Sequence, residues 1–184
     1  MEGKDKVLDI EIKLPSNVEA QLDEGILNLK GPKGNVKRDF LDKKVSLEYK
    51  EGSVTLKIPK FSKVNKKLIK SYASHIKNMI KGSLEGYKYT LKICSGHFPM
   101  NFSVNDNQLT VKNFLGEKVP RILKLKPGAD VKVEGDLIVV ESTNKEIAGQ
   151  VSADIELLTR RTGYDGRIFQ DGLWRVTKDD KGVK

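Results

Sequence analysis

Cysteine, histidine and tryptophan are scarce in this chain, which has one Cys, two His and one Trp in 184 residues. A lone thiol cannot close a disulfide within the chain, and it suits a reducing compartment. Two imidazoles and one thiol are too few for a conventional four-ligand zinc site, so no metal is expected although Cys94 and His97 are neighbours in sequence. Cys94 ends the alternating run Tyr87-Lys88-Tyr89-Thr90-Leu91-Lys92-Ile93 and reads as a half-buried structural thiol, not a nucleophile. His75 lies near an apolar stripe and reads as packing. Long apolar runs are also missing, and nothing approaches the roughly 18 residues that would span a bilayer. The opening Met-Glu-Gly-Lys-Asp-Lys-Val mixes charges and has no apolar centre, so a cytoplasmic protein with no membrane partner is expected. Gly31-Pro32-Lys33-Gly34 lacks the phosphate-loop spacing, no nucleophile-elbow motif occurs, and the carboxylates Asp23, Glu24, Asp106 and Asp136 are scattered on turns. The inventory assembles no active site. No enzyme activity, cofactor or small-molecule substrate is expected.

What is plentiful is lysine. The chain is 32% charged and 38% hydrophobic with a net charge of +9, a soluble globular composition that favours a polyanionic partner. Arginine is rare, and its placement is uneven: Arg160, Arg161, Arg167 and Arg175 fall within sixteen residues, with only Arg38 and Arg121 elsewhere. Tyr164, Phe169 and Trp174 are interleaved with them. Gly163, Gly166 and Gly172 interrupt any regular period, so the segment is expected to lie as an extended, turning tail that works through what it touches. Guanidinium forks match phosphate, and exposed rings stack on unpaired bases. The plainer alternative is a solvated basic terminus, which has little use for three large aromatics.

Along the chain, Val7–Leu14, Val18–Leu22, Ile26–Lys30, Val36–Phe40, Val45–Tyr49 and Val54–Ile58 read as strands separated by turns, with Leu27 and Leu29 on one face. Ser62 then caps an amphipathic helix over 62–82, with Val64, Leu68, Ile69, Ala73, Ile76, Met79 and Ile80 at helical spacing. Its polar face carries Lys63, Lys66, Lys67, Lys70, Lys77 and Lys81 with no acid among them. That face is either a second basic contact surface or simply solvated.

The second half repeats the order. Asp106–Lys112 lines up with Glu24–Lys30, Gly116 falls on Gly34, and Glu134–Val139 follows Glu51–Leu56. A second helix capped by Thr143 or Asn144 carries Ile147, Val151, Ile155 and Leu158. The expected fold is α+β: two tandem duplicated domains, each an antiparallel sheet packed against one helix. The expected bounds are 1–82, 83–160 and a basic, aromatic tail over 161–184. Chance likeness between hairpins could imitate part of this repeat.

Lys30-Gly31-Pro32-Lys33-Gly34, the duplication and Arg160-Arg161-Thr162-Gly163-Tyr164-Asp165-Gly166-Arg167 together resemble the large-subunit ribosomal protein six family, in its archaeal and eukaryotic branch. The resemblance implies binding to large-subunit rRNA beside neighbouring ribosomal proteins, chiefly through the second domain and the tail. It places that contact near the sarcin–ricin loop and the translation-factor region, in support of assembly and translation. Carried onto this chain, it puts Arg160, Arg161, Tyr164, Gly166 and Arg167 at the rRNA surface, to which the tail's own chemistry adds Phe169, Trp174 and Arg175. The bacterial tail looks like Tyr-Lys-Gly-Lys-Gly, whereas Asp165 here follows Tyr164 and is expected to face a donor or an ion and not a phosphate. The rival from another class is a non-ribosomal protein-interaction module with two sheet domains.

Overall fold

The computed structural model describes residues 8–40, 42, 44–50, 52–179 and 181–182. Val7, Glu51 and the charged opening residues, on which parts of the sequence reading fall, lie outside the described residues, as do Asp180 and the last two residues. The chain forms two units, Met1–Gly86 and Tyr87–Lys184.

Unit 1 contains β1 (Leu8–Lys13), β2 (Glu19–Asp23), β3 (Ile26–Gly31), β4 (Gly34–Asp39), β5 (Ser46–Lys50), β6 (Ser53–Ile58) and the helix α1 (Lys63–Leu84). Its strands make two antiparallel sheets, β1-β6-β5 and β2-β3-β4. Alternation sets the inward faces: Leu27 and Leu29 of β3 and Val54, Leu56 and Ile58 of β6 are buried, and Ile69, Ala73, Ile76 and Met79 of α1 close over them. Helix α1 begins where Ser62 Oγ accepts the Asn65 N–H at 3.0 Å. It runs past Gly82, which is buried within it, and ends before Gly86 at φ +78°, a left-handed angle that suits glycine. The helix and the unit thus end beyond residue 82, because a helical glycine packed on the sheet need not stop the helix.

Unit 2 repeats the plan with β7 (Tyr87–Cys94), β8 (Asn101–Asn105), β9 (Gln108–Lys112), β10 (Arg121–Lys124), β11 (Asp130–Glu134), β12 (Leu137–Ser142) and the helix α2 (Lys145–Leu158). The sheet orders β10-β9-β8 and β11-β12-β7 are those of unit 1 with each strand replaced by its counterpart. Even the β2–β3 and β8–β9 turns agree, with Glu24-Gly25 and Asp106-Asn107 all at positive φ. Asn144 Oδ1, not Thr143, supplies the α2 cap by accepting the Glu146 N–H at 2.9 Å.

One departure from the expected architecture bears directly on the tail. The segment 161–184 is not extended throughout, because β13 (Gly172–Lys178) pairs antiparallel with β7 and carries the short β14 (Lys181–Gly182) beyond it. Leu173 is buried in the unit 2 core. A glycine at the head of the strand does not prevent pairing, since β7 offers a free edge and Leu173 supplies an apolar residue to bury.

Candidate nucleic-acid interface

Between α2 and β13, residues 160–171 form an arm fastened at both ends. At its base, Thr159 Oγ1 accepts the Leu173 N–H at 2.9 Å and donates to the Glu156 carbonyl at 3.3 Å. Gly172, at φ +147°, allows this approach; a Cβ there would stand 3.2 Å from Thr159 Oγ1. Arg121 braces the same corner by donating from Nη1 to the Leu158 carbonyl at 2.7 Å.

The second fastening is Asp171, whose side chain is only 2% exposed. Its Oδ1 accepts the N–H groups of Gly96 (2.7 Å) and His97 (2.9 Å), and Oδ2 lies 2.5 Å from His97 Nδ1. Burial alone would push this carboxyl up, but the His97 N–H, the His97 ring and the Gly96 N–H outweigh it and hold it below the ordinary aspartate value. His97 is thus turned to the arm and not to Cys94, which ends β7 half-buried and unpaired.

From His97 a ladder of side chains runs along the arm. The imidazole stacks on Phe169 with centroids 5.0 Å apart, Tyr164 meets Phe169 edge-on at 5.0 Å, and the Arg161 guanidinium lies 4.7 Å from the Tyr164 ring centre. Arg161 Nη1 then donates to Glu117 Oε1 at 2.8 Å, and Glu117 is gripped in bidentate fashion by Arg121 at 2.8 Å on each oxygen. The Arg121 hydrogen bonds, opposed by partial burial and helped by the charges of Arg121 and Arg161, keep the Glu117 carboxyl below its usual range. Asp165 accepts from the Arg167 N–H at 2.9 Å and from its guanidinium, which lowers its pKa and meets the expectation that it faces a donor.

The predicted site residues therefore fall into distinct environments. Arg160 is exposed and makes no side-chain contact with a partner among the described residues. Arg167 is 91% exposed, and its pair with Asp165 is of the surface kind that contributes little and exchanges readily. Arg161 is shared between Glu117 and Tyr164. Gly166 has open space where a Cβ would stand. Phe169 is half-buried in the ladder, and Tyr164 stays exposed at its outer end. Trp174 and Arg175 stand on β13 and not in an extended tail. Trp174 is half exposed with its indole N–H donated to the Gln170 carbonyl at 2.9 Å, while Arg175 turns inward to Glu156 at 3.2 Å. The inward turn makes Arg175 a brace for the strand; its Nε is buried without a partner. Lys63, Lys66, Lys67, Lys70 and Lys77 are all exposed on α1, in unit 1.

Sequence reasoning missed the residues that hold the arm: His97, Asp171, Glu117 and Arg121. No local signal marks them, because each acts on a partner far along the chain or on an element whose position only the fold decides.

The Ribosomal protein L6 family model matches residues 14–86 and again 98–172, one match per unit. The chain is similar to proteins named large ribosomal subunit protein uL6. That of Methanosarcina mazei is 41% identical over 167 residues, covering 91% of this chain and 95% of the relative. That of Methanococcus vannielii is 38% identical over 171 residues, covering 93% and 94%. That of Ignicoccus hospitalis is 36% identical over 173 residues, covering 91% and 93%.

Proposed function

Because the chain belongs to the ribosomal protein L6 family, we propose that it is a structural, non-catalytic constituent of the large ribosomal subunit that grips rRNA with the arm of unit 2. Its place is the cytoplasmic ribosome, among rRNA and neighbouring ribosomal proteins. The observation that carries the reading is the arm itself: Arg160 and Arg167 project from a segment that the Asp171 clamp and the ring ladder hold in one shape. Cations on a fixed frame suit phosphates at fixed spacing, whereas cations on a loose terminus suit any polyanion. Arg161 joins them when phosphate displaces Glu117 from its outer nitrogen, and Tyr164 and Gly166 offer a ring and bare backbone beside them. The Phe169 ring, held between His97 and Tyr164, supports the surface more than it meets RNA, and Arg175 supports β13.

The family resemblance supports a position near the sarcin–ricin loop and the region where translation factors bind, in support of assembly and translation. The division of labour is that unit 2 makes the chief contact with RNA and the lysine face of α1, in unit 1, makes a second one.

Sedimentation tests this reading. In a cell extract resolved on a sucrose gradient, the chain is expected in the large-subunit fractions and to leave them after ribonuclease treatment. Migration as a small complex that survives ribonuclease would sink it in favour of a protein-interaction module.

A further inference from the structure

Beside the arm, the last turn of α2 and the edge of β13 enclose a cleft of about 340 Å³ whose lining includes Glu156, Leu157, Arg160, Asp171 and Trp174. Its two carboxylates are already engaged, Glu156 by Arg175 and Asp171 by Gly96 and His97. Arg160 has no such partner among the described residues, so it is the cation the cleft has left to offer an anion. Its walls include two large apolar side chains left half in solvent, Leu157 at 54% and Trp174 at 51% exposure. The indole N–H is taken by the Gln170 carbonyl, and what Trp174 has left to offer a ligand is ring surface. The other two aromatics of the segment meet each other edge-on, and Phe169 also stacks on His97. The cleft stands at the lower end of the roughly 300–1,000 Å³ found for small-molecule sites, which admits one base with its sugar and excludes a duplex.

An extended peptide adding a strand here would need free backbone donors on β13, whose residues Gly172–Arg175 pair with β7 alone. The Leu173 N–H, however, is already donated to Thr159 Oγ1. A stacked, anionic ligand fits better than a strand.

We infer that this cleft takes one unpaired nucleobase of the bound rRNA, stacked on Trp174 beside Leu157, with its phosphate at Arg160. The inference rests on the rRNA-binding reading and adds to it a site for a single splayed-out base. Trp174 is the only tryptophan in the chain, so indole emission reports on this cleft alone.

The full chain is titrated with large-subunit rRNA while filter retention measures binding and fluorescence measures the indole. Quenching in step with retention is expected. Trp174→Leu should weaken retention by about five-fold to about a hundred-fold, the loss of one stacked base, and Trp174→Phe should restore most of it. Arg160→Ala, at an exposed position that folding does not depend on, should weaken binding and make it less sensitive to salt. RNA bound with unchanged emission, and with Trp174→Leu retained like the unaltered chain, would overturn this inference and leave the rRNA reading intact. Emission that answers to RNA-free ribosomal proteins and not to rRNA would also overturn it, by assigning the cleft to a peptide. Failure of the unaltered chain to retain any rRNA would remove both.

Discussion

Asp171 holds His97 twice, accepting its backbone N–H at 2.9 Å and lying 2.5 Å from its ring Nδ1. The two residues stand 74 positions apart in the chain, and their contact joins the end of the arm to the loop after β7. Hydrogen bonds to a buried charge contribute about 1.5–3 kcal/mol each, and cutting them leaves their donors unsatisfied. Asp171→Ala is therefore expected to destabilise unit 2 by about 2–4 kcal/mol in denaturant unfolding and to weaken rRNA binding as the arm loosens. Unchanged affinity in a variant that still folds would mean the arm does not need this anchor.

The same carboxylate sets an acid limit. Its folded pKa is depressed below the ordinary 3.8, so its stabilising effect is complete above that value and disappears as pH falls through the lower, folded value. The Gly96 and His97 amide resonances should hold their clamped shifts down to about pH 4 and move only in stronger acid. An acid transition that survives unchanged in Asp171→Asn would contradict an Asp171-centred clamp.

Glu117 pulls in two directions. It fixes Arg121, partly buried like itself, and the exposed Arg161, so Glu117→Gln should cost about 1 kcal/mol of stability. It also shields Arg161 from phosphate. The same variant should bind rRNA at least as tightly as the parent and with a steeper salt dependence, a combination of opposite signs that filter binding and denaturation together can check.

Gly31 has a steric reason to be glycine. A Cβ there would stand 2.5 Å from the Ser83 carbonyl oxygen at the end of α1, and that carbonyl also accepts the Lys33 N–H at 3.0 Å. Gly31→Ala should lower unit 1 stability by about 1–3 kcal/mol, the range for an overpacked site that must shift backbone. A denaturation midpoint that does not move would show that the β3–β4 turn can slide away from the helix.

Salt dependence separates the two basic surfaces. Replacing Arg160, Arg161 and Arg167 together with alanine should flatten the log–log plot of rRNA affinity against salt by about one unit or less per arginine. Replacing Lys63, Lys66, Lys67, Lys70 and Lys77 should flatten it only if α1 lies on RNA; an unaltered slope would return that face to solvent.

Much of this fold is legible residue by residue. The Ser62 cap, the Leu27–Leu29 alternation and the Val151–Ile155 stripe are local patterns, and local patterns survive into the structure when a core is available to receive them. The duplication was visible as matching turns and reappears as matching sheet orders. The end of α1 and the strand β13 were less legible for one shared reason: a glycine ends or admits an element according to what packs on it. Gly82 faces the core, and Gly172 faces Thr159. The arm's arginines and rings stand out in the sequence, but the pairing of Arg161 with Glu117 and the seizure of His97 by Asp171 join distant stretches of chain that no spacing rule connects.

Thr159 and Asp171 make the segment between them a strap buckled at each end. A dangling terminus would surrender its freedom only on meeting a ligand, and the lost backbone entropy, about 1–2 kcal/mol per residue, would then be subtracted from affinity. Here that surrender happens while the polypeptide folds. What reaches the ribosome is a shaped tool whose docking need not first subdue a wandering chain.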